Sequence, residues 1–154
     1  MNTEIDRQSD VRKAVEQAEE LRLQGKHDES IKLLSDTLRY GVDQGHIYYR
    51  LGNVYFDAKR YDHAEYSYRR AIDHDSLHVN AHYNLGVVFK KMGRVDESMK
   101  MRKKANKLAQ QHPEKLSVST DQIERVRSFA KKLFFWGMAI ILLLVVLYIL
   151  LASL

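Results

Sequence analysis

The sequence predicts an all-α protein: a solenoid of about three helix-turn-helix repeats, a capping helix, and one C-terminal transmembrane helix. Three observations predict it. A pattern of small and apolar residues recurs every 34 positions. The 154 residues include one proline and seven glycines, too few for a β-rich fold with many tight turns. The last stretch, residues 133–154, carries no charge and is mostly apolar.

The repeat is clearest when residues 48–72 are aligned with residues 82–106, and a weaker copy spans 11–38. Three aligned columns are always small: Ala18, Gly52 and Gly86; Ser30, Ala64 and Ser98; Thr37, Ala71 and Ala105. Small residues at fixed places let two helices approach closely, and the larger residues between them follow helical spacing. One such hairpin cannot bury its own apolar face, but three stacked hairpins can.

Short breaks near Gly25, Lys59 and Gly93 separate the two helices of each unit. We therefore divide the chain as follows: a polar segment at 1–10, units at 11–44, 45–78 and 79–112, a linker at 113–120, a basic capping helix at 121–132, and the apolar stretch at 133–154.

The units resemble tetratricopeptide repeats (TPRs). The second unit matches that pattern at Tyr48, Leu51, Gly52, Tyr55, Ala64, Tyr68 and Ala71, and the third matches at His82, Leu85, Gly86, Phe89, Ser98 and Ala105. The usual helix-ending proline is missing at Ser76 and comes late, at Pro113. The first unit is degenerate, as is usual for a terminal repeat. The resemblance implies an α-solenoid whose concave groove is lined by the first helix of each unit.

The resemblance also places a peptide-binding groove. Its expected residues are Tyr49, Asn53, Phe56, Tyr83, Val87 and Lys90. This mixture of aromatic and polar side chains is suited to an extended or helical peptide. Some TPR proteins clamp the C-terminal carboxylate of chaperone tails with Lys and Asn, but only Asn53 matches here, so we do not predict that ligand. The alternative is that these side chains are merely exposed.

The apolar stretch predicts a membrane-spanning helix. Its length as a helix, about 33 Å, matches a hydrocarbon core of roughly 30 Å. The side chains expected at the membrane interfaces are Arg125, Arg127, Lys131, Lys132, Trp136 and Tyr148. The basic residues flank one side only, which places the repeats in the cytosol. The alternative is a buried core helix.

Charge increases towards the apolar stretch. Residues 1–44 contain 7 basic and 10 acidic residues, whereas residues 79–132 contain 13 basic and 5 acidic residues. Basic residues beside a bilayer interact favourably with anionic lipid, so we expect no nucleic-acid partner. The basic run at 100–107 leaves a nucleic-acid patch as the alternative.

Nothing in the sequence indicates an enzyme, a cofactor or a catalytic residue. There is no cysteine, no Gly-rich phosphate loop and no HExxH. His74, His78 and His82 are spaced by four, but the junction between two helices falls at 76–77, and His82 occupies a column normally filled by a packing aromatic residue. We therefore expect no physiological metal site.

The resulting hypothesis is a membrane-anchored adaptor or scaffold that binds partner proteins in the groove and supports recruitment or assembly of a membrane complex. The alternative is a permanent subunit of such a complex, or a self-assembling coat. The span would insert after synthesis, as in tail-anchored proteins. We favour a bacterial inner membrane, with the mitochondrial outer or endoplasmic reticulum membrane as alternatives.

Overall fold

The computed structural model describes residues 4–115, 133–134 and 136–138. In that part of the chain all regular structure is helical. The α-helices are α1 (Glu4–Leu23), α2 (His27–Thr37), α3 (Gln44–Asp57), α4 (Tyr61–His74), α5 (Val79–Lys91) and α6 (Val95–Gln111), with short 3-10 helices at Leu38–Tyr40 and Pro113–Lys115. The chain forms two compact units, Met1–Leu116 and Ser117–Leu154. The described part of the first of these units is an all-helical solenoid of helix-turn-helix repeats, as predicted.

Within the compact unit Met1–Leu116, each of helices α1 to α6 packs mainly on its neighbours in the chain. The closest pairs are α1 with α2, α3 with α4, and α5 with α6, and these hairpins are joined by packing of α2 on α3 and of α4 on α5. Helix α1 starts at Glu4, so residues 4–10 of the predicted polar segment are part of this helix.

The turns within the hairpins lie where the sequence predicts breaks. Gly25, Lys59 and Gly93 have φ angles of 77°, 59° and 78°, which is the left-handed region. An αL residue after the last helical turn ends a helix because it turns the chain while the last carbonyls keep partners. The backbone N–H of the following residue bonds back to the first helix in each case, for example Arg60 N to Tyr55 O at 2.9 Å.

The small columns are the places where the two helices of a hairpin touch. Ala18, Ala64, Ala71 and Ala105 are at most 1% exposed. A Cβ added to Gly52 would lie 2.5 Å from the ring of Tyr68, so only glycine fits between α3 and α4 there. The small residues therefore set the helix spacing, as the sequence predicts.

The hydrophobic core is a series of clusters along the solenoid. The first joins α1, α2 and α3, the second joins α3, α4 and α5, and the third lies between α5 and α6. His82 is 1% exposed, which confirms that it fills the column of a packing aromatic. Among the described residues, all of these buried side chains lie between positions 11 and 108.

The predicted capping helix at 121–132 and most of the predicted transmembrane helix at 133–154 lie outside the described residues. So do Arg125, Arg127, Lys131, Lys132 and Tyr148 among the expected interface residues. Among the parts of the chain that the structure describes, no helix has the length and apolar character needed to cross a bilayer. Within the apolar stretch, the described side chains of Leu133, Phe134, Trp136 and Met138 are all more than half exposed.

Candidate peptide-binding site

The six residues expected in the groove lie on two first helices, α3 and α5, but they differ in accessibility. Tyr49 is 9% exposed, whereas Tyr83, one repeat later in the same column, is 43% exposed. Asn53, Phe56 and Val87 are half-buried, and Lys90 is exposed. A ligand therefore meets a surface that is more accessible on the third unit than on the second.

Tyr49 is a core residue. Its ring lies 4.6 Å from the ring of His78 and 6.0 Å from that of Tyr68, between centroids. It belongs to the cluster that joins α3, α4 and α5. Little of its side chain is left for a ligand, and direct peptide contact by Tyr49 stays a prediction.

Asn53 is held by a buried hydroxyl and by a second amide. The Tyr68 hydroxyl donates to Asn53 Oδ1 at 2.7 Å, and Asn84 Nδ2 donates to the same oxygen at 3.1 Å. Burial raises the pKa of Tyr68, so its hydroxyl remains a donor at any physiological pH. We call Asn53 and Asn84 the amide pair. The opposite ends of these two amides, Asn53 Nδ2 and Asn84 Oδ1, are one donor and one acceptor, which is the pairing that a peptide backbone requires.

Sequence reasoning missed Asn84. It does not lie in the groove column that contains Asn53, because it stands three positions earlier in its own unit. The two residues are brought together because side chains of α3, α4 and α5 meet in one cluster, which joins two different columns from adjacent repeats. No signal in a single sequence identifies such a diagonal pair.

Charged residues at the first two units are paired with one another. Arg22 forms salt bridges with Asp57 on the next repeat and with Glu19, at 2.7 Å from the latter, and Arg50 lies 3.4 Å from Glu19. The Glu19 carboxylate holds the pKa of Arg22 above its ordinary value. These salt bridges link the first repeat to the second, so we assign Glu19, Arg22 and Asp57 a structural role.

A second set of salt bridges also joins consecutive units. Arg60 lies 2.7 Å from Asp28, and Arg94 lies 2.5 Å from Glu65. Arg94 also lies 4.3 Å from the centroid of the Phe89 ring. Lys26, Arg60 and Arg94 recur at 34-residue intervals, so this always-basic column is a sequence signal that could have been recognised.

The histidines predicted not to form a metal site lie around the junction of the second and third units. A cavity of about 400 Å³ is lined by Asp43, Gly45, His46, His74, Asp75 and His78. His82 does not line it. Among the described residues, no three His, Cys, Asp or Glu side chains are placed to hold a metal ion.

Two of these histidines are placed to be neutral. His78 Nδ1 accepts a hydrogen bond from the backbone N–H of Ala81 at 3.3 Å. His82 Nε2 lies 3.0 Å from the carbonyl oxygen of Ser76, and its buried Nδ1 has no partner among the described residues. Burial is the main cause that lowers the pKa of both rings.

We therefore expect acidification to lower the free energy of unfolding of the part of the chain that contains the repeats. Because the folded pKa of each ring lies below the unfolded value of about 6.5, the unfolded chain takes up protons first as the pH falls. The stabilisation that depends on these neutral rings is fully present above about pH 6.5 and is lost as the pH falls through the folded pKa values. Urea unfolding at neutral pH and at mildly acidic pH measures this as a lower midpoint in acid.

The variant His82→Phe is the matched control, since an aromatic ring is typical of this column. It should reduce the pH dependence because it removes one of the two titrating rings. Equal urea midpoints at the two pH values in the wild-type chain would contradict the expectation.

The repeat geometry indicates the class of fold. Residues 52–93 match the family model described as TPR repeat, and residues 79–112 match the one described as tetratricopeptide repeat. Residues 52–112 therefore contain TPRs, and the fold is a solenoid of the TPR type.

Known proteins resemble it over different lengths. Protein bimA of Emericella nidulans is 34% identical over 70 residues, which is 46% of this chain and 9% of that protein. The chain thus spans under a tenth of this curated relative. The translocator chaperone SycD of the Yersinia enterocolitica type III secretion system has a TM-score of 0.64 at 16% identity, covering 82% of this chain and 93% of that one. A MamA structure (AMB-1) has a TM-score of 0.60 at 24% identity, covering 69% and 63%. The likenesses to these two structures show the fold alone.

Proposed function

We propose that the protein is a non-enzymatic adaptor that is anchored in a membrane through residues 133–154 and binds partner proteins with the first helices of its TPR units. The observation that carries the binding proposal is the amide pair, which holds one amide donor and one amide acceptor on the first helices α3 and α5. On α5, Tyr83 directly precedes Asn84 in the sequence and is 43% exposed. Tyrosine is enriched in binding hot spots.

The ligand that fits this surface is a peptide segment in extended or helical form. The Tyr68 hydroxyl fixes the Asn53 amide, which reduces the conformational entropy lost when a peptide pairs with it. Lys90, exposed on α5, favours acidic side chains in the same segment. The TPR matches over residues 52–112 support a role in protein interaction.

Membrane anchoring is supported by the sequence. Residues 133–154 are uncharged and follow the basic residues Arg125, Arg127, Lys131 and Lys132. The described side chains at the start of the stretch are apolar and exposed, as expected of a surface that contacts lipid. We propose a bacterial inner membrane with the repeats on the cytosolic side, and the mitochondrial outer or endoplasmic reticulum membrane as alternatives.

The binding proposal is tested by changing the groove without disturbing the core. We expect Asn84→Ala combined with Tyr83→Ala to lower capture of the partner about thirtyfold or more, because truncating an anchor in a hot spot typically costs about 2 kcal/mol. Affinity capture from membranes in mild detergent identifies the partner by mass spectrometry, and titration of the purified partner gives the affinity.

The matched control is Lys103→Ala combined with Lys104→Ala, since both side chains are exposed on α6, away from the amide pair. This control should keep the partner. If the control loses the partner and the groove variant keeps it, binding lies on another surface and the groove proposal is wrong.

Anchoring is tested separately by removing residues 133–154. We expect the shortened chain to be released into the soluble fraction with helices α1 to α6 intact, because the core clusters of the described residues lie within residues 11–108. Alkaline carbonate extraction followed by circular dichroism measures both. A shortened chain that still pellets with carbonate-washed membranes would contradict the anchor.

A permanent structural subunit is the second candidate. The observation that favours it is the exposure of Val95 and Met99, at 59% and 64%, on the outer helix of the last unit. Such apolar side chains are more typical of obligate interfaces. A fixed stoichiometry in the detergent capture would support the subunit, and exchangeable partners in small amounts would support the adaptor.

A further inference from the structure

The second helix of the third unit carries a row of lysines that its counterparts do not. Lys100, Lys103, Lys104 and Lys107 are exposed on α6, and we call them the lysine stripe. At 3.6 residues per turn they fall within an arc of about 100° and span about 10 Å along the helix. The buried residues Ser98 and Ala105 lie on the opposite side of α6, and the buried Leu108 borders the stripe. The stripe therefore faces away from the core of the solenoid.

The other two units provide an internal comparison. The equivalent positions are Lys32, Ser35, Asp36 and Arg39 in the first unit, and Tyr66, Arg69, Arg70 and Asp73 in the second. Each of those sets contains an acidic residue and has a net charge of +1. In the third unit the same four positions carry +4. The fold itself does not require lysine at these positions, because two units form the same hairpin without it.

Charges in the first two units are also compensated by neighbours. Arg39 lies 3.6 Å from Asp36, Arg70 lies 3.2 Å from Asp73, and Arg69 lies 2.8 Å from Glu65. By contrast, no salt bridge joins a lysine of the stripe to any carboxylate within the described residues, although the pKa of Glu97 is lowered by Arg94 and, to a smaller extent, by Lys100 of the stripe. Lys103, Lys104 and Lys107 add three further cations in the same small area, and such a group attracts a surface that carries several anions at similar spacing.

We infer that the lysine stripe binds the headgroups of anionic phospholipids, as a membrane contact that is separate from residues 133–154. The choice of lipid rests on the proposed membrane anchoring, because that places a bilayer near this chain. A single-stranded nucleic acid is disfavoured because no aromatic side chain lies among residues 95–111 to stack on bases. The stripe deepens the proposed function by giving the adaptor a preference for anionic membranes.

The test uses the chain ending at residue 116, which retains the core clusters of the described residues and lacks the apolar stretch. We expect it to co-sediment at low ionic strength with phosphatidylcholine vesicles that contain phosphatidylglycerol, and not with vesicles of phosphatidylcholine alone. Binding should disappear in about 1 M salt, where screening acts within roughly 3 Å.

Two pairs of substitutions isolate the stripe. Lys103→Gln with Lys104→Gln should weaken binding to the anionic vesicles about thirtyfold. The matched control is Arg69→Gln with Arg70→Gln, which makes the same charge change in the same two columns one repeat earlier. The control should bind almost as the unchanged chain does, and circular dichroism confirms that both variants are folded.

Three outcomes would overturn the inference: binding that does not require phosphatidylglycerol, equal losses in the two variants, or a duplex oligonucleotide that binds more tightly than the vesicles and is lost in the lysine variant. None of them bears on the amide pair or on residues 133–154. A failure of the adaptor proposal would in turn leave the vesicle measurement unaffected, since no partner protein and no anchor is present in it.

Discussion

Replacing Gly52 with alanine is expected to lower the free energy of unfolding by about 3 kcal/mol, at the upper end of the usual cost of overpacking a core. The added Cβ would lie 2.5 Å from Cε1 and 2.6 Å from Cδ1 of Tyr68. The Tyr68 ring cannot move aside, because it is 1% exposed and its hydroxyl is bonded to Asn53. Thermal unfolding should show a melting temperature lower by about 15 °C.

Gly86, in the same column, gives a graded comparison. A Cβ there would lie 2.8 Å from Cγ of Arg102, an exposed and flexible side chain, although the carbonyl oxygen of Ser98 is 3.1 Å away. Gly86→Ala should therefore cost less than Gly52→Ala, whereas the larger Gly86→Leu should destabilise the third unit by about 1–3 kcal/mol.

Coupling between Gly52 and Tyr68 can be measured directly. In Gly52→Ala combined with Tyr68→Leu, the smaller side chain makes room for the added methyl group, so the double variant should lose less stability than the sum of the two single variants. An unchanged melting temperature in Gly52→Ala would mean that α3 and α4 do not pack as closely as the structure shows.

Replacing Tyr49 with alanine is expected to destabilise the fold by about 3 kcal/mol, the cost typical of removing a buried aromatic ring. Its ring packs against the rings of Tyr68 and His78, and the residue is 9% exposed. The loss should appear as a lower urea midpoint in the isolated protein, with no partner present.

Tyr83→Ala is the matched change, one repeat later in the same column. Tyr83 is 43% exposed, and its main described contact is with the Arg102 guanidinium, 5.5 Å from the ring centroid. This variant should leave the urea midpoint nearly unchanged while lowering partner capture. If Tyr49→Ala instead left stability intact and reduced capture alone, Tyr49 would be a ligand anchor and its burial would not matter for folding.

The sequence by itself determined the repeat and its local structure. The 34-residue period places the hairpins, and the left-handed residues at Gly25, Lys59 and Gly93 end the first helix of each. The small columns and the burial of His82 follow from the same alignment. These features depend on residues within one hairpin, whose helical spacing fixes which side chains face each other.

Only the tertiary structure decided which groove residues can reach a ligand. Tyr49 and Tyr83 occupy the same column. Tyr49 is buried by α5 and by the loop at 75–78, whereas Tyr83 is 43% exposed. The pairing of Asn53 with Asn84 likewise joins different columns of adjacent units. Periodicity gives the face of each helix on which a side chain lies. Its burial and its hydrogen-bond partners depend on how closely the next repeat packs, and that distance is set by side chains from both units together.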